Sequence, residues 1–286
     1  MPETRGVRGV GKVAVIGSMV WLGLLGCARQ PPIDWDGPAA RAPSALTPAV
    51  LLVPGPHGQP AAEATPESKG APKHERRQCT TTMRFAFGGD SLVYAAWWAV
   101  RPDSSAVLRV ARSTDGGRRW EKSVSADERD RSVMGCSRPA PAIAYDADSG
   151  YLHLAYFLEP AEGSGIFYEH LMQGMFHAPV VIVYGERPVA AAVSAVGDTV
   201  VVAYEDPNRP TPQIMLALSY TAGHLFDTRV PASGDEVDAR APVVAVHGHR
   251  VAVGWYQTGV GVGDEDSQPS VTAEPVIRQG DMTGGR

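Results

Sequence analysis

One short strand recurs four times along this chain, and that recurrence limits the possible folds more than any other feature of its 286 residues. Leu-Val-Tyr-Ala-Ala-Trp at 92–97, Tyr-Leu-His-Leu-Ala-Tyr at 151–156, Thr-Val-Val-Val-Ala-Tyr at 199–204 and Arg-Val-Ala-Val-Gly-Trp at 250–255 each end in a small residue followed by Tyr or Trp. The closing aromatics lie 59, 48 and 51 residues apart. A period of this length marks a stacked repeat, in which each unit buries its apolar face only against a neighbour. Three of the strands follow an apolar segment that opens with Pro, at 139–144, 188–192 and 242–246, across short turns rich in Gly, Asp and His. Strands that are apolar almost throughout are covered on both faces, and tight Gly-containing turns join antiparallel neighbours. The expected unit is a four-stranded antiparallel meander. The expected fold class is therefore all-β, a β-propeller of about four such blades. The fourth has two clear strands, and a weak run at 271–278 is available for a third.

A turn signature sets the register of the repeat. Ser113-Thr-Asp115-Gly-Gly117-Arg-Arg-Trp120 puts each residue type where a hairpin needs it. The hydroxyl and carboxylate can bond nearby backbone N–H groups, the glycines accept φ > 0, and the indole can plug the space beneath the turn. The octapeptide resembles the Asp-box of sialidases and other bacterial-neuraminidase-repeat β-propellers, closely over these eight residues and loosely over the whole repeat region. The resemblance implies a structural hairpin between the third and fourth strands of a blade, away from any catalytic mouth. Two eroded copies follow. Residues 219–226 keep Ser219, Gly223 and Phe226 in register, and residues 170–176 keep Gly174 and Phe176 with one residue deleted. Sialidase-like propellers have six blades, so about four imply a small closed ring, an incomplete ring completed by a partner, or a divergent fragment.

The start of the chain reads as an address. Arg5, Arg8 and Lys12 precede an uncharged, mainly apolar run of 13 residues at 13–25, which as a helix reaches about 20 Å, short of the hydrocarbon core. It ends Leu24-Leu25-Gly26-Cys27, which resembles a bacterial lipobox. That resemblance implies a signal peptide at 1–26 and a lipidated Cys27 inserted in a bilayer. It places the protein in the bacterial cell envelope, with the outer membrane preferred because Ala28 is not aspartate. Residues 27–78 are rich in Pro and Ala and are expected to be a disordered tether, in which the apolar run at 49–53 could add a strand. The propeller domain is expected at 79–257 and a flexible tail at 258–286. Residues 1–77 hold nine Lys/Arg against six acids, so the remainder carries −8 within a net charge of −5. An acidic domain argues against nucleic acid as a partner.

With Cys27 assigned to lipid, Cys79 and Cys136 remain, and in an exported compartment two leftover cysteines are expected to pair. No phosphate loop and no zinc-ligand spacing appears, and no cofactor or metal is expected. His247 and His249 flank Gly248 without a third ligand, and Asp264-Glu265-Asp266 reads as a solvated run. Of Trp97-Trp98, one is expected in the core and the other outside, with Trp98 a candidate platform for a sugar ring.

The Asp-box resemblance raises sialidase-type glycoside hydrolysis, which needs an arginine cluster for a carboxylate, a tyrosine nucleophile activated by glutamate, and an aspartate acid/base. Arg138, Arg187 and Arg240 recur one or two residues before the inner strands, Tyr204-Glu205 ends another strand, and Asp146 ends the strand that Arg138 begins. The competing reading makes the arginines scaffold, paired with acids such as Asp130, Glu186 and Asp238. Tyr204 and Glu205 are adjacent, so in a strand they face opposite sides and cannot form a nucleophile–base couple. The leading expectation is a non-catalytic module that binds a glycan or an envelope protein. The alternative is a divergent sialidase-type exo-glycosidase.

Overall fold

The computed structural model describes residues 31–42, 77–260 and 271–283, and every regular element among them is a β-strand. Two short strands come first, β1 (Ile33–Trp35) and β2 (Ala40–Arg41). Four antiparallel blades follow. Blade I is β3 (Arg77–Phe87), β4 (Val93–Val100), β5 (Ala106–Ser113) and β6 (Val124–Asp127). Blade II is β7 (Ala142–Asp146), β8 (Tyr151–Leu158) and β9 (Gly165–Met172), with β10 (Met175–Phe176) and β11 (Val180–Tyr184) both paired to β9. Blade III is β12 (Ala191–Val196), β13 (Thr199–Glu205), β14 (Ile214–Ser219) and β15 (Thr228–Pro231). Blade IV is β16 (Asp238–His247), β17 (Arg250–Val260) and β18 (Val271–Met282). The molecule is an all-β propeller of meandering antiparallel blades.

Blade IV takes its outer strand from the other end of the described chain. β1 pairs with β18 through Ile33↔Met282, Asp34↔Asp281 and Trp35↔Gly280, and β2 pairs with β18 at Val276 and Ile277. Residues 31–42, which composition assigned to the tether, are thus part of the domain. Ile33 is buried in the core of blades III and IV, and Arg278 lies 4.3 Å over the Trp35 ring. The domain also extends past 257, because β17 runs to Val260 and β18 pairs with it along its whole length. The signal-like run, Cys27, the 49–53 segment and the 264–266 acids lie outside the described residues.

Three apolar cores join the blades in series. Tyr94, Ala96 and Trp98 of β4 meet Leu152, Leu154 and Tyr156 of β8 between blades I and II. Phe157, Ile166 and Tyr168 meet Val200, Val202 and Tyr204 between II and III. Val201, Ala203 and Leu216 meet Val251, Val253 and Trp255 between III and IV. Strand alternation explains the pattern, since even and odd residues of one central strand serve different cores. The repeated aromatics Tyr156, Tyr204 and Trp255 all face the preceding blade and are buried there. Trp97, their counterpart in blade I, faces away from blade II and is only half-buried. Trp98 points the other way, is fully buried, and donates from Nε1 to the Pro139 carbonyl at 2.9 Å, so it is not the exposed platform expected of it. Phe85, Phe87 and Val124 share blade I with Trp97 and are exposed.

Candidate functional site

The 113–120 hairpin is built from its polar side chains. Ser113 Oγ accepts from Gly117 N at 2.9 Å and donates to Asp115 Oδ1 at 2.9 Å, and Asp115 Oδ1 accepts from Arg119 N at 2.8 Å. Those bonds hold the Asp115 carboxyl below the usual range, the Arg119 N–H contributing most. Gly116 and Gly117 take φ of 73° and 88°, where a β-carbon is strained. The Trp120 ring tilts against Phe85 with centroids 6.2 Å apart and lies where a β-carbon on Gly117 would touch it, yet 41% of it is exposed, so it shields the turn on one side only. Residues 219–226 repeat this geometry without the carboxylate. Ser219 Oγ accepts from Gly223 N at 3.1 Å, and Thr221 Oγ1 accepts from Leu225 N at 3.0 Å, in the place of Asp115. A hydroxyl does the work of the carboxylate there.

The three recurring arginines are each bonded to neighbours of their own, and the charges of two of them, Arg187 and Arg240, reach Glu205. Arg138 has no exposed side chain: Nη2 donates to Asp130 Oδ2 at 2.9 Å and Ser132 Oγ at 2.9 Å, Nε donates to the Gly135 carbonyl, and the guanidinium lies 5.0 Å over Trp98. Arg240 forks onto Asp238 through Nε (2.7 Å) and Nη2 (3.1 Å) at the surface. Arg187 Nη2 donates to the Asp206 carbonyl at 2.6 Å, and Nη1 lies 3.8 Å from Glu205 Oε2; Glu186 is not its partner. Nearby, a disulfide joins Cys79 of β3 to Cys136 ahead of β7, tying blade I to blade II.

The remaining sequence candidates divide: Glu205 stands beside Arg187 and within reach of the charge of Arg240, while Tyr204 and Asp146 are engaged elsewhere. Tyr204 is buried in the core of blades II and III, and burial raises its phenol to about 12. Glu205 points to the opposite side, where Oε1 accepts from Ala241 N at 2.9 Å, and burial raises its carboxyl. Asp146 caps the β7–β8 turn through Asp148 N and Ser149 N and accepts from Gly197 N of blade III at 3.0 Å. It is a structural acceptor, far along β7 from Arg138. His247 and His249 are exposed at the β16–β17 turn, with His249 Nε2 3.6 Å from Asp281.

Two polar sites were not picked out from the sequence. The first is an open cleft of about 460 Å³ at the end of blade III, where the β13–β14 and β15–β16 loops meet. Asp206, Arg209, Gln213, Ser233 and Asp235 line it over Met215 and Pro231. Gln213 is held in place by donating Nε2–H to the Ser233 carbonyl at 3.1 Å and by accepting from Arg209 Nη1. The Arg187 bond to the Asp206 carbonyl braces the same loop.

The second is a tyrosine–carboxylate group sealed between blades I and II. Tyr156 Oη donates to Asp127 Oδ2 at 2.8 Å and stands 2.9 Å from Glu169 Oε2. One hydroxyl proton cannot serve both oxygens. Burial raises the Glu169 carboxyl to about 8, so it keeps its own proton at neutral pH and donates it to Tyr156. Arg129 covers Asp127 from Nε and Nη2, the latter at 2.7 Å, and also pairs with Glu162. Although this is a tyrosine–glutamate contact, Tyr156 and Glu169 are 1% and 2% exposed, and no substrate reaches them.

No protein-family model and no curated protein matches this chain. Among solved structures it is similar to the polysaccharide lyase Uly1, at 10% identity and a TM-score of 0.41 over 70% of this chain and 45% of that one. It is also similar to the GH93 alpha-L-arabinofuranosidase of Fusarium graminearum solved with arabinobiose, at 10% identity and 0.47 over 75% and 66%. A third is the subtype N11 neuraminidase-like protein of A/flat-faced bat/Peru/033/2010 (H18N11), at 7% and 0.45 over 68% and 59%. The chain spans less than two thirds of the length of each.

Proposed function

We propose that this protein is an exported bacterial lipoprotein, anchored to the cell envelope through lipidated Cys27, whose propeller binds a glycan without cleaving it. The observation that carries this reading is the fate of the three arginines. Arg138 is sealed in an ion pair, Arg240 is forked to Asp238, and Arg187 is committed to the Asp206 carbonyl and Glu205. A sugar carboxylate would have to displace all of these at once, and the only Tyr–Glu contact described above lies in the core.

The side chains that do face solvent at that end suit a neutral or weakly charged sugar. Arg209 and the two aspartates offer planar donors and acceptors to ring hydroxyls, with buried Gln213 holding Arg209 from behind, and Met215 with Pro231 offers a floor to the C–H face. The cleft volume falls in the range of about 300–1,000 Å³ typical of small-ligand sites. Titration calorimetry of the full chain against a panel of neutral and acidic oligosaccharides tests this. Binding is expected to weaken about tenfold in Asp235→Ala, the loss of one or two hydrogen bonds from an exposed lining residue. A fluorogenic sialoside is expected to stay intact. Turnover that disappears in Arg187→Ala would establish the exo-glycosidase reading in its place.

One observation favours a protein partner as a second reading. Phe85, Phe87, Trp120 and Val124 of blade I are between 41% and 51% exposed, and clustered exposed apolar side chains mark contact surfaces. On this reading Phe87→Ser abolishes capture of an envelope protein and leaves oligosaccharide binding unchanged.

A further inference from the structure

Half of the chain's eight histidines lie close together where blade II meets blade III. His170 ends the buried part of β9, and His177 follows β10, bonded back to it through His177 N to the His170 carbonyl at 3.0 Å. His224 comes from the 219–226 hairpin of blade III, and His153 lies on β8 behind the other three. The ring centres of His170 are 4.6 Å from His177 and 4.7 Å from His224, and His177 and His224 are 5.7 Å apart. One ring nitrogen from each of these three lies within 4.8 Å of the others. His170 is 97% buried, being 3% exposed, and its Nε2 has no hydrogen-bond partner. A buried polar atom left without a partner calls for an explanation, and an absent ion is one.

We propose that His170, His177 and His224 bind a borderline divalent transition metal, zinc in the first instance, which clips the hairpin of blade II to that of blade III. Three neutral imidazoles without thiolate or a ligating carboxylate select zinc, copper or nickel over the hard ions calcium and magnesium. The spacing suits one ion. With metal–nitrogen bonds of about 2.0–2.1 Å in tetrahedral geometry, the centres of neighbouring imidazoles stand about 5 Å apart, and the three observed separations bracket that value. His177 now stacks on His170 at 15° between planes and must turn to aim its nitrogen inward. It is half-buried and His224 is exposed, so both can move while His170 stays fixed. The fourth position opens toward solvent on the His224 side, which leaves room for water or a ligand atom.

The backbone around the ions' seat is already set. Gly223 takes φ of 89° beside His224, and a β-carbon there would overlap the Tyr168 ring, so the hairpin sits close against blade II. Tyr168 Oη in turn holds His153 Nδ1 at 2.6 Å directly behind His170. The metal seat therefore has two mobile arms and one rigid one.

The test is calorimetric titration of the chelator-treated full chain with zinc sulfate, repeated with calcium and magnesium chloride. The expected result is one zinc per chain, no calcium or magnesium binding, and a higher Tm with zinc than without, because an ion that binds only the folded chain stabilises it. His224→Gln changes an exposed side chain and leaves the core intact; zinc affinity is expected to fall at least about tenfold and the zinc-induced Tm rise to vanish. His170→Gln is expected to do the same. The double variant His247→Gln/His249→Gln removes the other exposed histidine pair and is expected to bind as the parent does. Absence of zinc binding in the parent overturns the proposal, as does parental affinity in His224→Gln or loss of binding in the His247/His249 variant.

Discussion

Glu169 and His170 are neighbours on one strand, yet they look into two different interfaces built on opposite principles. On the side toward blade I, the polar groups complete one another: Tyr156 sits between Asp127 and Glu169, and Arg129 covers Asp127. Close by, Arg138 closes on Asp130 and a disulfide ties the two blades. On the side toward blade III, the buried polar groups are imidazoles, and Nε2 of both His153 and His170 lacks a partner. The first interface is built from carboxylates and cations, with Arg138 Nη1 there also lacking a partner; the second is built around imidazoles, two of whose ring nitrogens lack one. The two also titrate in opposite senses. Burial raises Glu169 to about 8, whereas burial, reinforced by neighbouring histidines, lowers His153 and His170 to about 4.

The largest loss is expected from cutting the Arg138–Asp130 pair at the blade I interface. Both side chains are fully buried, so Asp130→Ala leaves an uncompensated guanidinium and also removes the acceptor of Ala106 N. The expected cost is about 3–5 kcal/mol in urea unfolding, against under about 1 kcal/mol for Arg240→Ala at its exposed pair. A loss below about 1 kcal/mol for Asp130→Ala would show that the pair is not sealed. Next in size is the disulfide, which closes a loop of 57 residues in sequence separation. Cys136→Ala is expected to destabilise by about 2–4 kcal/mol, and reduction of the parent to have the same effect.

The opposed titrations give the comparison its pH test. Burial holds the folded Glu169 carboxyl above the ordinary 4.5 of an exposed glutamate, so the folded state keeps a proton that the unfolded state releases. Its contribution is complete below about 4.5 and is lost as pH rises through about 8. His153 and His170 have folded values below 6.5; the unfolded chain takes up protons first, and their contribution is lost as pH falls from 6.5 through about 4. Thermal unfolding is therefore expected to show a stability maximum near pH 6.5, with the alkaline fall reduced by about 2 kcal/mol in Glu169→Gln and the acid fall reduced in His170→Gln. If Glu169→Gln left the alkaline limb unchanged, the proton would not sit where Tyr156 requires it.

The fold was legible because propeller blades force a visible pattern on their central strands. Strands covered on both faces must be apolar throughout, and a recurring small–aromatic ending marked where each blade meets its predecessor. The hairpin copies were readable for the same reason, and Thr221 standing in for Asp115 shows what an eroded copy preserves. Legibility failed where an element is too short to show periodicity. β1 has three residues among prolines and acids, and only its partner β18 makes it a strand. It failed again where parity decides: Trp97 and Trp98 are adjacent, and nothing local says which faces blade II. The partners of the arginines depend on loops whose path the sequence does not give, so Arg187 reaches Glu205 and the Asp206 carbonyl instead of Glu186. The cleft is assembled from two loops of blade III whose approach no local pattern marks, and the histidine cluster joins two blades, His177 and His224 being 47 residues apart, which only stacking at the repeat period makes neighbours.

The finest test uses the same substitution on both faces of blade II. Each interface has a buried tyrosine hydroxyl bonded into its polar group, Tyr156 to Asp127 toward blade I and Tyr168 to His153 toward blade III. Tyr156→Phe takes the donor from Asp127 and the acceptor from protonated Glu169, so two buried groups lose a partner at once. Tyr168→Phe takes one partner from His153, whose other nitrogen already has none. At about 1–3 kcal/mol for each buried polar group left unsatisfied, Tyr156→Phe is expected to cost about 2 kcal/mol more than Tyr168→Phe in chemical denaturation. Equal costs would mean that the two networks are equally closed, and the contrast between them would fail. Zinc adds a second reading from the same pair. If the ion sits on His170, His177 and His224, the zinc-induced rise in Tm is expected to be unchanged in Tyr156→Phe, which lies on the far side of β9. In Tyr168→Phe it is expected to shrink, because the imidazole behind His170 has lost its anchor.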